Sequence, residues 1–187
     1  MKLKIKKFKR VKSTNDEAIK LIQKHRYMSG LVVSDIQTRG RGTMGKKWIS
    51  KKGNIFISIF YKVNFTNLKI ESFLKINANI IKKILNSYTK KNITIKKPND
   101  LLIENKKICG ILQEVIEQNN EKFLITGIGI NTLTAPHNNK FISTCLSKHT
   151  KKNIKNFEFI RKVKNIYEKL INDLDHNNFT YVKKKYI

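Results

Sequence analysis

The spacing of apolar positions changes several times along the chain, and each change marks an element. Over residues 2–11, Leu3, Ile5 and Phe8 are interleaved with lysine, which reads as a strand with one wet face. Thr14 followed by Glu17 is a capping-box pattern, and Ala18, Ile19, Leu21 and Ile22 supply the apolar face of a helix that should end before Gly30. A β-branched run over 31–37 predicts a strand. Residues 38–52 collect glycine, arginine and lysine and read as a loop, and 54–63 are apolar on both faces, as in a buried strand. Ile70, Phe73, Leu74, Ile76, Ile80, Ile81, Ile84 and Leu85 place a long amphipathic helix over 68–88.

Short apolar runs follow at 93–97, 101–103, 108–116 and 122–130 and predict four strands. Pro98-Asn99-Asp100, Glu104-Asn105-Lys106 and Gln118-Asn119-Asn120 supply the turns between them. Residues 132–139 look irregular. Phe157, Ile160, Val163, Ile166, Tyr167 and Leu170 space out a C-terminal helix, and the tail over 181–187 is expected to be loose or a strand remnant. This order of elements is an α+β pattern.

Composition bounds the picture. A length of 187 residues suits one domain, and 40% hydrophobic content argues against disorder. A chain of this size buries roughly 70% of its unfolded surface, so it needs neither disulfide nor metal to hold together. The two cysteines, Cys109 and Cys145, read as small buried residues. No apolar run approaches the roughly 18 residues of a membrane span, and the N-terminus lacks the apolar core of a signal peptide. A cytoplasmic protein with no membrane association is the expectation. Forty Lys and Arg against 13 Asp and Glu give a net charge of +27. Such charge is the usual footprint of nucleic-acid binding. Here, however, the lysines are spread along the whole chain among Ile and Asn, as in an AT-rich coding sequence, and no specific DNA partner is expected.

The candidate chemistry lies in three glycine-bearing stretches. Gly40-Arg41-Gly42-Thr43-Met44-Gly45 formally matches G-x-G-x-x-G, but it does not open a helix and no acid follows about 20 residues on, so a dinucleotide fingerprint is disfavoured. Its glycines would still let backbone amides approach an anion. Arg39, Arg41, Lys46 and Lys47 add positive charge, and Trp48 can stack a flat ring. The stretch is either a nucleotide pocket or a flexible basic loop. Lys107 stands near Gly110, and Gly127-Ile128-Gly129-Ile130-Asn131 ends a strand with two glycines. His25, His137, His149 and His176 have no motif partner, and no nucleophile–base constellation emerges. Chemistry here would therefore rest on positioning and charge stabilisation.

In order, Ser13-Thr14-Asn15, the stretch from Gln37 to Trp48, Gly53-Asn54-Ile55-Phe56, Pro98-Asn99-Asp100-Leu101, Lys107-Ile108-Cys109-Gly110-Ile111-Leu112-Gln113-Glu114 and Gly127-Ile128-Gly129-Ile130-Asn131 resemble the catalytic domain of biotin–protein ligases. The resemblance covers about residues 13–146. It implies a mixed, largely antiparallel sheet backed by helices, with a catalytic domain over 1–150 and a C-terminal helix and short tail over 151–187. It also implies ATP-dependent biotinylation of a carrier lysine through biotinyl-5′-AMP, with biotin and ATP as substrates and Mg²⁺ as cofactor. By the same resemblance Ser13, Thr14, Asn15 and Gln37 hold the biotin head group, and Gly40, Arg41, Gly42 and Thr43 close over biotin and the adenylate phosphate. Trp48 would pack near adenine, Lys107 would contact the biotin carboxylate and the α-phosphate, Gly110 and Leu112 would border biotin, and Asn131 would lie by the nucleotide. Arg41 and Lys107 are the catalytic candidates, and no protein metal ligands are implied. The natural partner is a biotin carboxyl carrier domain, and both monomers and homodimers occur in the family.

Four departures from the family pattern stand out. Thr43 replaces an arginine and Lys97 a tryptophan. Only about a dozen residues precede Ser13, so no helix-turn-helix is expected there, and the usual C-terminal β-barrel is expected to be missing. Alternatives are a lipoate or octanoate ligase of the same fold, or a degenerate ligase acting as a basic binding protein.

Overall fold

The computed structural model describes residues 2–63, 70–137 and 141–187. The strands are β1 Ile5–Phe8, β2 Ser29–Ser34, β3 Ile55–Lys62, β4 Ile93–Lys96, β5 Asp100–Ile103, β6 Lys106–Gln118 and β7 Glu121–Ile130. They form one sheet in the order β1-β2-β3-β7-β6-β5-β4. β1 runs parallel to β2, and every other neighbouring pair is antiparallel. The helices are α1 Thr14–His25, α2 Ile70–Asn86, α3 Asn156–His176 and α4 Phe179–Tyr186. The mixed, largely antiparallel α+β sheet expected from the sequence is therefore present. The predicted helix start at Leu68 and the end of the irregular stretch at Asn139 lie outside the described residues.

The pleat sorts the side chains into two layers. One face presents Leu31, Ile57, Ile59, Ile111, Leu124 and Ile128, which share a core with Phe73, Ile76 and Ile81 of α2 and Val163, Tyr167 and Leu170 of α3. The other face is split along the strands. At one end Val32, Phe60, Phe123 and Ile125 pack against Ala18, Leu21 and Ile22 of α1. At the other end the cross-strand rows Ser58–Gly127–Leu112 and Phe56–Gly129–Gly110 lie on the same face, and three glycines leave it nearly bare. That recess lets Asn15 and Trp48 pack directly against the sheet backbone.

Two local expectations are corrected. The capping box does not form: Ser13 is the N-cap, with extended backbone, and makes no side-chain cap bond. Thr14 sits one residue inside the helix, and Glu17 pairs with Lys20 at 2.7 Å. The tail is a docked helix and not a loose strand remnant. The Asn178 side chain accepts from the Tyr181 amide at 2.9 Å and caps α4. Phe179, Val182 and Tyr186 then repeat at helical spacing, with Val182 fully buried and the Phe179 ring 5.5 Å from that of Phe73. The apolar period begins at Phe179, before the stretch that was read as tail, so the shorter window hid it.

Tyr186 donates its hydroxyl to Asp173 at 2.8 Å, and Lys185 pairs with the same carboxylate at 2.8 Å, tying α4 to α3. Burial pushes the Asp173 carboxyl up, but these two donors outweigh it and hold the group below its ordinary range. A carboxylate depressed in the folded state contributes stability above its unfolded pKa, and the contribution is lost as pH falls through the folded value. Asp173→Asn should therefore lower stability at neutral pH and flatten the acid limb of the stability profile. Val182→Ala should lower the unfolding free energy by about 1–3 kcal/mol in urea titrations. A neutral Val182→Ala would return the tail to a loose segment.

Candidate functional site

A cavity of about 850 Å³ opens over the bare patch of the sheet. It lies within the size range of small-molecule sites. Its walls bring together Ser13, Thr14 and Asn15 at the start of α1, Gln37 after β2, the 40–48 segment, the Pro98 turn, and the glycine-bearing parts of β6 and β7. Every residue to which the family resemblance gives a site role lines it except Gly40, and Arg39 lies outside the lining as well. Gly40 sits behind the wall, where an added Cβ would come within 2.7 Å of the Trp48 carbonyl oxygen.

At one end of the cavity a chain of hydrogen bonds is built around Ser58. This serine is fully buried on β3, with Ile57 and Ile59 on either side of it. Its hydroxyl donates to Asn15 Oδ1, which can only accept, and its oxygen lies 2.7 Å from the Thr14 hydroxyl. Thr14 donates from its amide at 2.8 Å and its hydroxyl at 3.1 Å to Gln37 Oε1, and Gln37 Nε2 donates to Ser50 at 3.2 Å. Asn15 Nδ2 donates to Glu114 at 2.6 Å. Buried polar groups with satisfied partners hold a single geometry, so the residues facing the ligand are fixed before it arrives. Asn15 packs directly on Gly127, where any Cβ would collide with its amide.

The segment over 40–48 is a short hairpin. Arg41 bridges to Lys47, Gly42 N donates to Lys46 O at 2.7 Å, and Trp48 N donates to Gly40 O at 2.9 Å. Its tip, Thr43–Gly45, is a 3-10 turn in which Gly45 takes φ +70°, a conformation that favours glycine. The hairpin lays Trp48 on the cavity floor. An added Cβ at Gly110 would come within 2.7 Å of the indole, and one at Gly129 would overlap it. Trp48 Nε1 and Asn131 Oδ1 are buried with no hydrogen-bond partner among the described residues. The first can donate to a ligand acceptor and the second can accept from a ligand donor.

Lys107 reaches this cavity through an irregularity in the ladder. Leu101 pairs with Cys109 but Leu102 pairs with Lys107, so Ile108 is an extra residue in β6. Ile108 and Cys109 both enter the same core, and the bulge turns Lys107 to the opposite face. Its Nζ pairs with Asp100 Oδ1 at 2.6 Å and lies 5.4 Å from the centre of the Trp48 ring. Arg41 is likewise held by carboxylates, with 2.7 Å contacts to Glu114 and to Asp16. Burial pushes the Arg41 guanidinium down, but these carboxylates outweigh it and hold it above its ordinary value. Thr43, Lys46, Lys47, Lys96 and Lys97 also line the wall, and among the described residues these lysines make no ion pair.

Sequence reasoning assigned no part to Ser58, Asp16 or Glu114. A lone hydroxyl inside Ile-Phe-Ile-Ser-Ile-Phe-Tyr was the available signal for Ser58. Nothing local points to Asp16 as a partner of a loop 25 positions away. Cys109 and Cys145 are buried free thiols, as expected, and burial pushes the Cys109 thiol well up, away from nucleophilic use.

Residues 7–131 match the model of the Biotin/lipoate A/B protein ligase family. The chain belongs to this family. It is 31% identical over 177 residues to the bifunctional ligase/repressor BirA of Bacillus subtilis (strain 168), covering 91% of this chain and 54% of that protein. It is 27% identical over 132 residues to the biotin–[acetyl-CoA-carboxylase] ligase of Mycobacterium tuberculosis, covering 66% of this chain and 47% of that one. The fold superposes with a TM-score of 0.72 on the biotin protein ligase of Aquifex aeolicus solved in complex with biotin and ATP, at 29% identity over 93% of this chain and 73% of that one. The chain spans about half the length of the curated relatives it matches.

For this family member the Trp48–glycine contact is open to a direct test. Trp48 is the chain's single tryptophan, so its fluorescence reports this contact alone. Gly129→Ala should push the indole off the floor, shifting its emission to the red and increasing quenching by acrylamide. Unchanged emission would show that Trp48 does not rest on Gly129.

Proposed function

We propose that the chain is an ATP-dependent biotin–protein ligase whose catalysis lies in residues 1–150. The observation that carries this reading is one cavity whose wall holds both a preorganised polar network, built on Ser58, and the cations Arg41 and Lys107. The similarity to biotin ligases of known name supports biotin over lipoate.

In the first step a biotin carboxylate oxygen attacks the α-phosphorus of ATP and diphosphate leaves, giving biotinyl-5′-AMP. Two anions must approach each other, so the site has to supply positive charge where negative charge accumulates. Lys107 and Arg41 supply it, and the unpaired lysines 46, 47, 96 and 97 add to the field around the triphosphate. Thr14, Asn15 and Gln37 hold the biotin head group. Trp48 and the hairpin shield the mixed anhydride from water, which would hydrolyse it. In the second step a carrier lysine amine attacks the biotinyl carbonyl, an amide forms, AMP leaves and the amine gives up a proton. No covalent enzyme intermediate is needed, in keeping with the burial of both cysteines.

The donor set fits a magnesium ion brought in by ATP. Asp100 is a carboxylate in the wall, and among the described residues no group of three or more His, Cys, Asp or Glu is placed to hold a metal. Mg²⁺ is commonly held by substrate phosphates with one or two carboxylates. When bound it would offset charge on the departing diphosphate. The carrier partner follows from the chemistry of the second step: a domain that presents a lysine at an exposed turn, as in a biotin carboxyl carrier protein.

Incubation with biotin, ATP, Mg²⁺ and a carrier domain should yield carrier heavier by one biotinyl group. Lys107→Ala should slow adenylate formation in a single turnover by about 10²–10³-fold. A folded protein that transfers nothing would overturn the function, and an unaffected Lys107→Ala would overturn the role of that lysine.

A further inference from the structure

Glu114 lies on the cavity face of β6, opposite Ile125 of β7. Both of its carboxylate oxygens are engaged. Arg41 Nη1 donates to Oε1 at 2.7 Å and Nη2 donates to Oε2 at 2.8 Å, a two-point pairing. Oε2 also accepts from Asn15 Nδ2 at 2.6 Å. Arg41 Nη2 reaches Asp16 Oδ1 at 2.7 Å as well. One carboxylate therefore connects the hairpin to the polar residues at the start of α1.

We propose that Glu114 is a positioning residue that latches the 40–48 hairpin over the cavity through Arg41 and at the same time fixes Asn15. The part concerning biotin rests on the ligase reading; the latch itself does not. Two parallel N–H···O bonds from a planar guanidinium set orientation as well as distance, which a single contact cannot do. The pair is placed to be reversible. The side chains of Arg41, Glu114 and Asp16 retain 39%, 25% and 38% of their exposure, so water competes for each contact. A hairpin held this way rests closed and still opens for ligand entry and product release. The same coupling runs to the polar end: Asn15 is held by Glu114 on one side and Ser58 on the other, and it lies flat on Gly127. Releasing Glu114 frees the hairpin and loosens Asn15 together. Releasing Asp16 frees only the hairpin.

Limited trypsin digestion without ligand tests the latch, with cleavage after Lys46 and Lys47 followed by mass spectrometry. Glu114→Gln should be cut there roughly three- to tenfold faster than wild type, and Asp16→Asn should show a smaller increase. Calorimetric titration with biotin supplies the second readout. Glu114→Gln should bind biotin more weakly, while Asp16→Asn should stay within about twofold of wild type, a split that general destabilisation would not produce. If Glu114→Gln does not fold, Arg41→Gln carries the digestion test, because it removes the other half of the same pair. Wild-type cleavage rates in these variants overturn the latch. A wild-type protein that binds no biotin overturns the ligase reading and leaves the digestion result standing.

Discussion

The site depends on a buried hydroxyl beside an absence of side chains. Ser58 is the polar break among the buried residues of β3, and it holds Thr14 and Asn15 at the start of α1. Asn15 can lie there only because Gly127, the cross-strand neighbour of Ser58, has no Cβ. The next same-face row, Phe56–Gly129–Gly110, repeats the device for Trp48. A strand surface normally fills with its own side chains. Here three glycines hollow out one end of that face and make room for Asn15 and Trp48, and α1 seals the other end with an ordinary apolar core. Fold and site are thus two uses of the same sheet face.

Regular periods made much of the fold legible. The alternation that ends in the 93–97, 101–103, 108–116 and 122–130 strands and the helical spacing of α2 and α3 translate directly into β4 to β7 and the packed helices. The candidate residues could be collected because their motifs sit at strand ends and in loops, and the antiparallel hairpins fold those ends into one place. What stayed hidden was non-local or irregular. A strict period of two puts Lys107 on the same face as Cys109, in the core, and only the extra residue at Ile108 turns it toward the cavity. Glu114 and Asp16 look like solvated charges until the hairpin brings Arg41 between them. The tail hid its helix because its cap, Asn178, and its first anchor, Phe179, precede the lysine run that dominates its composition.

The large positive charge reads differently beside this geometry. Lys107 and Arg41, the cations closest to the proposed chemistry, are already paired with Asp100, Glu114 and Asp16. These pairs keep cations oriented at a cavity edge and hold them against self-repulsion until an anionic substrate competes. The lysines left unpaired in the wall add positive charge around the cavity, which under the proposed function gives part of the excess charge a use that does not involve nucleic acid. Thr43 and Lys97 both lie in this wall, so the arginine replaced at one family position is accompanied by a lysine gained at another.

Under the proposed function, the Ser58-centred network prepares the cavity for biotin before biotin arrives. Calorimetric titration of biotin into the wild-type protein and into Ser58→Ala measures this most directly. Removing the hydroxyl leaves Asn15 Oδ1 without its partner and Thr14 held by Gln37 alone, a loss of about 1–3 kcal/mol in their positioning. The account predicts roughly tenfold or greater weakening of biotin binding, with the variant still folded. Equal affinity in the two proteins would contradict it.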